Sequence, residues 1–95
     1  MPAGPSPEEI RQAKDRLMNL QARADAARSG VQSIRSQQQA QGLDIRGDVL
    51  AAMSRLNSDM REAQSAIGQG DLKAAGEYLD RADHETTTLE KFLGR

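Results

Sequence analysis

IRQAKDRLMNLQARADAARSGVQSI, residues 10–34, decides the fold, because one apolar series runs through all of it. Ile10, Ala13, Leu17, Leu20, Ala24, Ala27, Val31 and Ile34 alternate spacings of three and four without a break. With about 3.6 residues per helical turn, that spacing keeps a single aliphatic stripe on one face of a helix. A stripe sustained this long must be covered by other helices, so it announces packing rather than chemistry.

Upstream, Ser6-Pro7-Glu8-Glu9 reads as a helix start. Ser6 caps, Pro7 takes the first helical position, and Glu9 can return a hydrogen bond to the Ser6 amide. Downstream, Val31 and Ile34 keep the register of Ala24 and Ala27. The helix is therefore read through Gly30, despite the ~1 kcal/mol that a mid-helix glycine costs. In the tract Gln37, Gln38, Gln39 and Gln41, Gln38 falls where an apolar residue is due, and Gly42 is the first clear stop.

Beyond that stop, Asp44 or Asp48 can cap a second helix with the seam Val49, Met53, Leu56, Met60, Ala63 and Ile67. Gly68-Gln69-Gly70 supplies a C-terminal cap and a tight turn, and Asp71 caps a third helix. Its seam is Leu72, Ala75, Leu79, Ala82, Thr86, Leu89 and Leu93, widened by Tyr78 and Phe92. The expectation is an all-α, antiparallel three-helix bundle with coiled-coil character and a long first helix. Its helices lie at about 7–40, 45–67 and 72–93, in a single domain over 7–95 behind a flexible leader over 1–6.

The charges beside the seams orient the helices. Lys14, Arg16, Arg23, Arg28 and Arg35 flank the first seam with no acid among them, whereas Asp83, Glu85 and Glu90 flank the third with no base. Complementary edges choose partner and orientation, so the first and third helices are expected side by side and parallel.

Composition excludes several functions. The chain has one Tyr, one Phe, no Trp and no Cys, and 13 basic residues balance 14 acidic ones to a net charge of −1. Without cysteine there is neither a disulfide nor thiolate chemistry. The basic residues form no patch interleaved with aromatics, so nucleic-acid binding is not expected. No stretch approaches the ~20 apolar residues of a membrane span, and direct membrane insertion is not expected either.

Catalysis is likewise not expected. A nucleophile needs an adjacent base and an orienting group, and His84 is the only imidazole. No phosphate-cradling glycine loop occurs. Glu77, Asp80 and His84 follow at i, i+3 and i+7 and present the one metal-like spacing. The heptad assignment turns them away from the seam, whereas bundle metal sites converge from facing helices. A solvated face is the preferred reading, with no cofactor and no metal, and a small-ligand or metal-binding bundle stands as the alternative function.

Length supplies the partner-binding expectation. At 1.5 Å per residue the first helix spans roughly 50 Å and the others roughly 33 to 35 Å. Folding the second helix back from Gly42 places Ile67 near residue 16, so Ile10, Ala13 and Leu17 are expected to lack internal cover and to bind a partner. That partner is another protein or a second copy of the chain, as in a homodimer.

Gly70-Asp71-Leu72-Lys73-Ala74-Ala75-Gly76-Glu77-Tyr78-Leu79-Asp80-Arg81-Ala82 resembles the second helix of a tetratricopeptide repeat. With Ala63 on the preceding helix, the resemblance spans residues 60–82, a single hairpin. The preceding helix lacks that family's large aromatic and leucine positions, and no second copy follows. Peptide recognition is what this resemblance implies. Together these readings describe a non-catalytic helical interaction or self-association module, as found within larger proteins.

Overall fold

A computed structural model describes residues 4–94. Residues 1–3 of the expected leader, and Arg95 at the end of the expected domain, lie outside the described residues. The chain forms three helices, α1 (Pro7–Ala40), α2 (Gly47–Gly68) and α3 (Leu72–Phe92), packed as an elongated bundle measuring 61 × 18 × 16 Å.

Local chemistry sets most of the helix ends. At α1 the Ser6 hydroxyl accepts the Glu9 amide at 3.2 Å, and the Glu9 carboxylate accepts the Ser6 amide at 3.1 Å. Two of the amides that a helix start leaves unpaired are thereby satisfied. Asp71 caps α3 by accepting the Ala74 amide at 3.1 Å. The first two helices end alike. Leu43 N–H donates back to Gln38 O and Asp71 N–H to Ala66 O, across Gly42 and Gly70 at φ +79° and +73°. Only glycine enters that left-handed region without strain, and this places both turns.

The start of α2 differs from expectation. Neither aspartate caps it: Arg46 occupies the cap position with no side-chain capping bond, Asp44 accepts the Ile45 amide at 2.8 Å, and Asp48 lies in the first turn, paired with the Arg46 guanidinium. Asp44 is held instead by Arg35 of α1, at 3.0 Å, so a tertiary ion pair takes the carboxylate that a local cap required.

The seams are the core. Leu17, Leu20, Ala24, Ala27 and Val31 of α1 are buried, as is the whole expected seam of α2. On α3, Ala75, Leu79, Ala82, Thr86 and Leu89 are buried, while Leu72 and Leu93 at its ends are half-buried. Thr86 is tolerated there because its hydroxyl donates to Ala82 O at 2.8 Å, leaving no unpaired donor. Ala52 and Ala66 are buried as well. They widen the apolar face of α2, which packs most extensively of all against α3.

Gly30 has a tertiary reason. A Cβ built on it would lie 2.9 and 3.1 Å from the two terminal methyls of Leu93, so the last turn of α3 rests directly on the α1 backbone. The helix accepts the propensity cost because a larger residue would displace that contact.

Contacts ascend together along α1 and α3: Arg16 to Asp80 at 2.6 Å, Arg23 to Asp83 at 2.9 Å and to Glu90 at 2.8 Å, then Gly30 to Leu93. The two helices are therefore parallel and α2 is antiparallel to both. Glu85 departs from the expected edge, facing Arg55 of α2 rather than α1. Asp80, assigned to the outer face, reaches Arg16 because a long guanidinium side chain bridges past the seam.

Candidate interaction surface

Both ends of α1 gain cover, one from irregular chain and the other from helices. Beyond the C-terminus of α3, the connection 43–46 returns beside the last turns of α1. Within it, Ile45 is buried, Asp44 is bound to Arg35, and Arg46 sits 5.9 Å over the Phe92 ring. Extended chain advances about 3.3 Å per residue against 1.5 Å in a helix, so four residues match about two helical turns.

At the other end Ile67 does arrive beside Leu17, together with Lys14 and Met18. The α2–α3 turn continues past it, bringing Gly70 close to Pro5, and α3 then starts alongside α1. Leu72, Gly76 and Leu79 meet Ala13 and Arg16 across a shallow hollow. Of the three residues expected to bind a partner, Leu17 is buried at 9% exposure and Ala13 packs against the core. Ile10 is half-buried and stands outside the core cluster. The length comparison counted α2 alone and so omitted the cover that α3 supplies to Ala13, while the end of α2 itself reaches Leu17.

The apolar surface that remains is centred one residue further on. Met18 is 64% exposed and, with Leu43, is one of two large apolar side chains so exposed among the described residues. The seam count passed over Met18 because it falls outside the a and d positions. Its neighbours Leu17 and Ile67 make the hollow it borders mainly apolar, and Lys14, Gln21, Gln64 and Gly68 complete the wall. Leu17, Gln21 and Gln64 also line a more polar hollow bounded by Met60, Arg61, Asn57, Ser54 and Arg28. The two hollows form one groove along the α1/α2 side, where the helices touch least.

The electrostatics differ from side to side. On the α1/α3 strip both cations are paired, Arg16 with Asp80 and Arg23 with two carboxylates, and hydrogen bonds first to Glu90 and then to Asp83 raise the Arg23 guanidinium above its ordinary value. On the α2/α3 side, Glu85 is buried at 8% exposure. Arg55 Nη2 lies 3.3 Å from its Oε2, close enough for an ion pair but not aligned as a hydrogen bond. Nearby, burial pushes the Asp59 carboxyl above its usual value; Glu85 and Glu62 push the same way, while Arg81 and Arg55 oppose it.

Among the described residues no three His, Cys, Asp or Glu side chains come together to hold a metal ion, and Asp80 is bound to Arg16 rather than to His84. No described helix is long and apolar enough to cross a membrane. No protein-family model, curated protein or solved structure matches the chain.

Proposed function

We propose that the chain is a non-catalytic helical protein–protein interaction or self-association module, whose contact surface is the N-terminal half of α1 with the facing end of α2. The observation that carries this reading is Met18, an exposed large apolar side chain beside Leu17 and Ile67 in an open hollow. Methionine is flexible and polarizable, which suits a surface that must fit another protein's side chains. Ile10, two turns upstream and outside the core cluster, extends the surface toward the start of α1.

Sedimentation equilibrium over a wide concentration range tests the self-association form. A mass that rises with concentration and returns to monomer in Ile10→Asp and Met18→Asp supports it. Binding of another protein is tested by the amide shifts that amphipathic helical peptides of acidic, neutral and basic character produce. A monomer at every concentration that also ignores all three peptides would sink the reading.

A further inference from the structure

The partner's chemistry can be argued from the α1/α2 groove, on the basis of the interaction reading above. Leu17, Met18, Met60 and Ile67 provide its apolar patches, Lys14, Arg28 and Arg61 its charges, and no acidic side chain lines it. That one-sided wall stands out in a chain with 14 acids and 13 bases. Arg28 is engaged by Asp25 and Asn57, but Lys14 and Arg61 have no ion pair or hydrogen bond among the described residues.

From Lys14 to Arg28 the groove runs about 21 Å along α1, roughly four helical turns. A helix laid in it meets Met18, Leu17 and Ile67 at one end, Met60 among the polar Gln21, Asn57 and Gln64 farther along, and free cations toward its edges. We infer that the α1/α2 groove docks an acidic amphipathic helix of a partner protein. Its apolar residues at i, i+3 or i+4, and i+7 seat against Met18, Leu17, Ile67 and Met60, and its flanking Asp or Glu residues pair with Lys14 and Arg61. A second copy of this chain is a poorer occupant, because the apolar faces of its own helices are turned into its core. The charges chiefly select the partner and speed its arrival; the apolar contacts hold it.

The test uses the full chain and a synthetic peptide of about four turns, with leucines at helical spacing and glutamates on the flanks, beside a matched peptide with lysines in place of the glutamates. The acidic peptide is expected to shift the amides of Lys14, Met18, Gln21, Gln64 and Ile67, and to bind more weakly as salt rises. Lys14→Glu and Arg61→Glu, both at exposed positions, should each weaken it about fivefold while leaving helix content unchanged. Equal or tighter binding of the lysine peptide, shifts confined to α3, or no binding of the acidic peptide overturns the inference. If the lysine peptide binds in the groove, or the chain self-associates through Met18, the interaction reading survives while this inference falls. A monomer that binds neither of these peptides nor a neutral one ends both.

Discussion

Replacing Gly30 by alanine sets two effects of similar size against each other, and the contact with Leu93 determines the balance. Alanine in a helix interior is worth about 1 kcal/mol over glycine. Its Cβ would stand 2.9 Å from one methyl of Leu93, nearer than two carbons approach, so that side chain must rotate away. Full burial of a leucine is worth about 1.5 to 3 kcal/mol, and Leu93 is half-buried, so moving its tip forfeits about 1 kcal/mol. Gly30→Ala alone should therefore leave stability nearly unchanged. In a Leu93→Ala background there is nothing to displace, and the same change should stabilise by about 1 kcal/mol. Urea denaturation of the four proteins, with equal slopes to secure two-state behaviour, measures a coupling of about 1 kcal/mol. Equal stabilisation in both backgrounds would refute the claim that Gly30 exists to admit α3. A loss well beyond 2 kcal/mol would show instead that the two backbones are forced apart.

Three further outcomes are expected. Leu56→Ala removes a fully buried side chain at the centre of α2 and should cost about 3 to 5 kcal/mol by urea midpoint, a large share of the roughly 5 to 14 kcal/mol such a chain holds; a loss under about 1 kcal/mol contradicts the core assignment. Ser6→Ala should cost about 0.5 to 1 kcal/mol and speed amide exchange at Glu9, because the hydroxyl is that amide's acceptor; unchanged exchange speaks against the capping box. Asp59 keeps its proton to higher pH folded than unfolded, so its contribution is fully present below 3.8 and lost as pH rises through the folded value. Asp59→Asn should accordingly raise the melting temperature at pH 7 by an amount worth less than about 1 kcal/mol and change nothing near pH 3; a lower melting temperature at pH 7 would mean that Arg81 and Arg55 outweigh burial.

The sequence by itself determined the three helices, the N-terminal caps of α1 and α3 and the inward faces, because these depend on neighbours within a few residues. Ser6 with Glu9, Asp71 and the positive-φ glycines Gly42 and Gly70 each act over one turn. Alternation by three and four reports the buried face whatever covers it. Arg23 on the basic edge and Asp83 and Glu90 on the acidic one also foretold that α1 and α3 lie in parallel, since charge complementarity is legible before any contact exists. Only the tertiary structure decided what lies over each stretch. The connection 43–46 covers one end of α1, α3 meets Ala13 and Ile67 of α2 meets Leu17 at the other, and Leu93 explains Gly30. Rise per residue along one helix cannot report how an irregular segment or a third helix is laid across it. The exposed Met18 and the acid-free groove between α1 and α2 emerge from that placement, because they join side chains of two different helices that no local pattern relates.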